Sequence, residues 1–273
     1  MAANIATEML LNQVTDYIMN VSMYPVFFSA HFILGCLIVR EDSKDLGSKF
    51  RQNHPFAMWF CSVIAGLSGV FVANFLFGNP LVDILKEHHL ILLVSLLWYL
   101  INYSPYDVVY KIVMFKPVKV IAAVLQEFLR VRFIYLGFHQ AAKVYPGAYI
   151  IMLLGGAIKG NGYGFIRIVE RLIRGKWTPT TNEILDVSYF AKSGMYASFT
   201  FLLHHLQVIP LQIQYLYCSI VAIFVCLRLV ILFRGVTDPL LSIEKPVCAF
   251  LFGSDTGNKL NVATPEMKDK KIK

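Results

Sequence analysis

The sequence predicts an all-α membrane protein: seven transmembrane helices, arranged as two inverted three-helix repeats plus a seventh helix. Three observations carry that prediction. The chain of 273 residues is 57% hydrophobic and 15% charged, with a mean hydropathy of +0.59, too apolar for a soluble domain of this length. Seven segments approach the roughly 20 apolar residues a spanning helix needs. Lys and Arg fall into alternate gaps between those segments.

The first segment, 18–39, follows a stretch that carries Glu8 and Asp16 and lacks a basic region, so no cleavable signal peptide is expected. It ends at Arg40. The second, 55–77, places Ser62, Gly66, Gly69 and Ala73 on one small-residue face. The third, 89–103, is the shortest. The fourth, 117–138, carries charge at its centre. The fifth, 147–168, repeats glycine at Gly156, Gly160 and Gly164. The sixth and seventh cover 189–209 and 211–233. Spans one to three (about 15–110) and four to six (about 115–209) each cross three times, which inverts one set relative to the other. The seventh span, 211–233, stands outside the repeat. Residues 1–250 thus form one transmembrane unit, and 251–273 a basic tail.

Orientation follows from counting. The gaps 40–54, 104–116 and 167–188, the tail after Phe233 and Lys119 hold 18 of the 25 Lys and Arg; the opposite gaps hold Lys86 and Lys143. The positive-inside rule makes the first set cytosolic. The N-terminus is then lumenal and the C-terminus cytosolic. This bias, with the basic tail, accounts for a pI of 9.2 without nucleic acid. Lys270-Lys271 stand where a dilysine retrieval signal of the endoplasmic reticulum would stand. Five cysteines with no CxxC pair predict free thiols and no metal site. His88, His89, His139, His204 and His205 gather on the lumenal side without a ligand motif, and read as interfacial residues. No nucleophile motif, P-loop or dinucleotide fingerprint is present, so an enzyme is not expected.

The charges inside the spans carry the functional reading. Lys192 and Arg228 lie near the cytosolic ends and can snorkel. Arg130, Arg132 and Lys159 cannot, and a charge at the bilayer centre costs at least about 2.5–3.5 kcal/mol. Lys119, Gln126 and Arg130 share a helix face. Lys159 abuts Gly160-Asn161-Gly162, a triplet that favours a helix break. One reading is a polar path between the fourth and fifth spans, lined by Gln126, Arg130, Lys159 and the carbonyls of the triplet. The other is a Glu127–Arg130 ion pair with close glycine packing and no path. An excess of buried cations over anions favours the path.

The chain also resembles the trimeric intracellular cation (TRIC) channels. The residues that carry the resemblance are Trp98-Tyr99-Leu100 with Pro105, Asp107, Tyr110 and Lys111; Pro117-Val118-Lys119; Glu127 with Arg130-Val131-Arg132; Lys159-Gly160-Asn161-Gly162; Leu172, Arg174-Gly175 and Trp177; Thr181-Asn182-Glu183-Ile184-Leu185; and Pro239, Leu240 and Leu251-Phe252-Gly253. The resemblance implies a homotrimer with one pore per protomer in the endoplasmic or sarcoplasmic reticulum membrane. It implies conduction of monovalent cations, chiefly potassium, as counter-current to calcium release and uptake. Lys119, Glu127, Arg130, Lys159, Gly160, Asn161, Gly162, Gly66 and Gly69 would line or gate that pore. A bound phosphatidylinositol bisphosphate would be held by Gln126, Arg130, Gly160, Asn161 and Gly162. At Gln126 the family pattern has Lys, so the lipid contact there loses its charge. On the residues alone, a transporter of an anionic metabolite or lipid suits inverted halves equally.

Overall fold

The computed structural model describes residues 2–47, 49–178, 183–185 and 187–253, the side chains of 2–6, 243 and 252 excepted. Lys270-Lys271, most of the basic tail, and Thr181 and Asn182 of the family pattern lie outside the described residues. The regular structure is helical, with no strand among the described residues. In chain order the helices are α1 (Ala2–Asn20), α2 (Val26–Asp42), α3 (Phe50–Asn53), α4 (Pro55–Phe77), α5 (His88–Tyr103), α6 (Val108–Met114), α7 (Lys116–Val144), α8 (Tyr149–Ile173), α9 (Tyr189–His205), α10 (Ile213–Arg234) and α11 (Leu241–Phe252).

Each of the seven apolar segments carries one long helix: α2, α4, α5, α7, α8, α9 and α10. The first was placed too early. A run from residue 18 is interrupted at 21–25, where Pro25 lacks an N–H and biases the residue before it away from helix. The residues before the break form α1, which packs along α10 through Thr15 against Cys218 and Tyr215 against Asn12. On length and composition alone, only α4 and α10 among the described residues suffice to cross a membrane; α5 is apolar but shorter. Charge explains α7 and α8, which are long enough, at 29 and 25 residues, but hold several ionic side chains each.

α2, α4 and α5 pack on one another, as do α7, α8 and α9, and the two groups meet along α2–α7 and α4–α8. Trp59 Nε1 donates to Ser95 Oγ at 2.9 Å and ties α4 to α5. One apolar core gathers Phe77, Ile134, Phe138, Phe201 and Tyr217 at the end of the bundle where α7 turns into α8. A second gathers Phe32, Leu67, Val94 and Ile101 around α2 and α5. Between the two, α2, α4, α7 and α8 enclose the cavity described next.

Candidate functional site

A cavity of about 620 Å3 opens among α2, α4, α7 and α8. Its walls are largely apolar, and its polar groups are few. Lys119, Gln126 and Arg130 come from α7, as their shared helix face requires. From α8 come Lys159, Gly160, Asn161, Gly162, Tyr163 and Arg167. Gly66 and Gly69 of α4 form the facing wall. From Lys119 to Arg130 the cavity runs about 16 Å along α7. The predicted residues therefore meet in one space, with one exception: Glu127 is fully buried and does not line it.

Arg130 is more fully engaged than the sequence suggests. Its Nη1 donates to Glu127 Oε2 at 2.6 Å, and its Nη2 to Ser193 Oγ and to the Phe190 carbonyl of α9. Arg228 of α10 stands 3.7 Å from the other Glu127 oxygen. Arg228 was placed among the snorkelling cations; here it turns inward and lines the cavity. The Glu127–Arg130 ion pair of the second reading is therefore present, and the cavity coexists with it. Arg132 points away altogether and donates to the Met19 carbonyl at 2.8 Å. Lys192 pairs with Asp238 at 2.8 Å and Glu244 at 2.5 Å.

α8 breaks where the triplet predicts. Asn161 has φ −141° and ψ 30°, outside the helical range. The break sits against α4 at backbone contact. A Cβ on Gly162 would lie 2.5 Å from the Gly69 Cα and 2.6 Å from the Ser68 carbonyl oxygen, and one on Gly69 would strike the Lys159 carbonyl. Gly66 is filled against Phe32 and Gly160 against Ile134. Close packing and cavity wall are thus one feature.

Lys159 closes the inner end. Its Nζ donates to Gln140 Oε1 at 2.7 Å. It also lines a second pocket of about 340 Å3, with His139, Gln140 and Lys143, beyond the first cavity. Lys159 is thus the residue that the two pockets share.

Sequence reasoning missed three contributors. His31, alone among apolar neighbours in α2, faces the cavity. Its Nε2 bonds the Gly66 carbonyl at 2.9 Å, so that nitrogen carries the proton and Nδ1 accepts from Gln126 at 3.3 Å. A lone polar residue in an apolar span was the signal. Gln140 was the second, two residues past the predicted end of the fourth span. The third is a clamp at the basic end of the bundle. Asp42 accepts from Arg171 at 2.6 Å and Arg174 at 2.7 Å, and Arg174 also pairs with Glu170 at 2.8 Å. Burial alone would raise the Asp42 carboxyl, but the guanidinium groups of Arg171 and Arg174 outweigh it and hold it well below the usual carboxylate range. Glu41, beside it, accepts from Lys44 at 2.8 Å and from Tyr110. Both carboxylates line the cavity.

Three of the histidines expected on the lumenal side lie against aromatic rings. His139 lies on Tyr135, His205 against Phe138 and His89 against Tyr24. All five cysteines are free.

The TRIC channel family model matches residues 44–234. The chain belongs to the TRIC channel family. It is 38% identical to the trimeric intracellular cation channel type 1B.2 of Caenorhabditis elegans over 87% of this chain and 76% of that one. It is 33% identical to the type A channel of Oryctolagus cuniculus over 87% of this chain and 80% of that one. A solved TRIC channel from C. elegans, determined in the absence of Ca2+, superposes with a TM-score of 0.75 at 36% identity, covering 85% of this chain and 99% of that one. Another, from work on the activity of TRIC counter-ion channels in calcium release, superposes with a TM-score of 0.77 at 29% identity, covering 82% and 99%. As a TRIC family member the chain is a channel protein and not an enzyme.

Proposed function

We propose that this chain forms a homotrimeric, potassium-permeable channel of the endoplasmic or sarcoplasmic reticulum membrane, with one pore in each protomer, giving counter-current to calcium movement. The single observation that carries the reading is the cavity among α2, α4, α7 and α8, whose lining residue Lys159 bonds Gln140 and also lines a second pocket. The architecture is two inverted repeats, α2-α4-α5 and α7-α8-α9, with α10 added. Equivalent helices of the two triplets meet as α2–α7 and α4–α8, which supports a pseudo-twofold arrangement. The charge bias places the clamp end in the cytosol and the α7–α8 turn in the lumen.

Cations must cross a cavity holding Arg130, Lys159, Lys119 and Arg228, which by itself favours anions. Two features lower that field. Glu127 neutralises Arg130 locally, and Glu41 and Asp42 bring carboxylates to the mouth. A bound phosphoinositide would add negative charge. The donor set fits an anionic headgroup: Arg130 Nε, Asn161 Nδ2, Tyr163 Oη and Arg167 Nε are buried without a hydrogen-bond partner, and each residue lines the cavity. Arg167, Asn161 and Tyr163, with Lys119 at the mouth, are better placed to hold phosphate than Gln126, whose amide already serves His31. The lipid supplies fixed negative charge; the residues orient it.

Recording the purified protein in planar bilayers under a potassium chloride gradient tests this. Unitary currents reversing near the potassium potential are expected. Substrate flux without unitary currents would establish the transporter instead.

A further inference from the structure

α11 lies beyond residue 234, where the family match ends, and the pore does not use it. It begins seven residues after the last residue of α10. Its position is fixed from both sides. Asp238 accepts from the N–H of Leu240, the residue just before α11, at 2.9 Å and also pairs with Lys192 at 2.8 Å. Glu244, inside α11, pairs with the same Lys192 at 2.5 Å and accepts from the Tyr196 hydroxyl at 3.3 Å. Lys192 and Tyr196 occupy the first two turns of α9. The helix is therefore tied at the level where α9 enters the membrane.

Beyond those polar ties α11 makes little contact with the bundle. Val247, Phe250 and Leu251, at i, i+3 and i+4, form one face, and all three are exposed, Phe250 at 88%. Ser242 and Lys245 lie on the other side of the helix and are exposed too. Tyr196 of α9, which meets Glu244, and Phe233 at the end of α10 also present exposed rings, and α10 is long and apolar enough to cross a membrane. The apolar face of α11 thus continues a lipid-facing belt at its edge, and it carries polar residues where an in-plane helix meets water. A ring as exposed as Phe250 in an aqueous position would gain nothing from its placement.

We propose that α11 is an interfacial helix lying in the plane of the membrane surface, with Val247, Phe250 and Leu251 seated in the phospholipid of the leaflet that α9 enters and α10 leaves. The Lys192–Asp238–Glu244 cluster acts as its hinge post.

Depth-dependent quenching tests this on the full-length protein. In a background with Cys218, Cys226 and Cys248 changed to Ser, the remaining Cys36 and Cys61 are fully buried. An environment-sensitive fluorophore is attached at Phe250→Cys and, separately, at Lys245→Cys. Both proteins are reconstituted in phosphatidylcholine–phosphatidylserine vesicles after gel filtration confirms an unchanged assembly. At 250 we expect strong quenching by lipid carrying a nitroxide high on the acyl chain, and several-fold weaker quenching by aqueous iodide than at 245. Equal iodide access at the two positions would overturn the proposal by placing α11 in water. Protection at 250 from both quenchers would overturn it in favour of burial against protein. As a second variant, Glu244→Gln should loosen the tie to α9 and raise iodide access at 250. Unchanged access there would show that the cluster does not set the depth of the helix.

Discussion

At the scale of single residues, the decisive pair is Glu127 and Arg130. Glu127 has no exposed surface, and its nearest cation besides Arg130 is Arg228 at 3.7 Å. Removing one partner of such a pair leaves a buried charge, a loss on the order of 3–5 kcal/mol. Arg130→Ala is therefore expected to lower the thermal unfolding temperature of the solubilised protein sharply, before any effect on current is considered. A thermal shift indistinguishable from the parent would contradict the pair's structural role. The i, i+3 spacing suggested this pair, while the family resemblance implied a lipid contact for Arg130. Spacing along α7 could not reveal that Ser193 and the Phe190 carbonyl, some 60 positions away, take the second guanidinium nitrogen. His31 was overlooked for the opposite reason: one imidazole in an apolar run has no local partner, and Gly66 and Gln126 meet it only in the folded bundle. Gln126→Lys would add a charge-assisted donor at the same point, so phosphoinositide retained through purification, read by mass spectrometry, should rise. A fall would place the lipid elsewhere.

At the scale of elements, α8 and the end of α2 matter most. The break at Asn161 was legible because glycine on both sides of Asn weakens helix intrinsically. What the sequence could not give was the reason for those glycines on the α4 side: Gly162 meets Gly69 backbone to backbone. Gly162→Leu should therefore cost folding as well as conductance, whereas Gly160→Leu meets the flexible Ile134 side chain first. Yield of folded protein by gel filtration should fall further for the first than for the second; the reverse order would refute the contact. The clamp that joins the ends of α2 and α8 gives a pH prediction. The folded Asp42 carboxyl titrates below its unfolded value, so its stabilisation is complete above the ordinary carboxylate pKa and lost as pH falls through the folded one. Asp42→Asn should lower the unfolding temperature at neutral pH, and the gap from the parent should close only below about pH 4. A gap that closes between neutral pH and that point would show that other groups set it. Helix existence was readable from apolar length; the start of α2 was not, because apolar residues continue through the 21–25 break and only Pro25 marks it.

At the scale of the whole molecule, the alternation of basic gaps and apolar spans suffices to propose inverted halves, and the helix contacts α2–α7 and α4–α8 support that proposal. The location of the cavity was only partly legible. Its predicted residues on α7 and α8 lie in two short stretches, but the walls from α2 and α4 come from tertiary packing that periodicity does not encode. The central claim is that potassium passes through this cavity and past Lys159. Its most direct test is single-channel recording of Gln126→Cys under a potassium chloride gradient, before and after a bulky, positively charged thiosulfonate reagent is added from the clamp side. The account predicts cation-selective currents whose amplitude drops in a single irreversible step per pore on modification, with no change in the parent protein treated alike. Currents of unchanged amplitude from protein shown by mass spectrometry to be fully modified at that position would contradict it, because ions would then be crossing by another route.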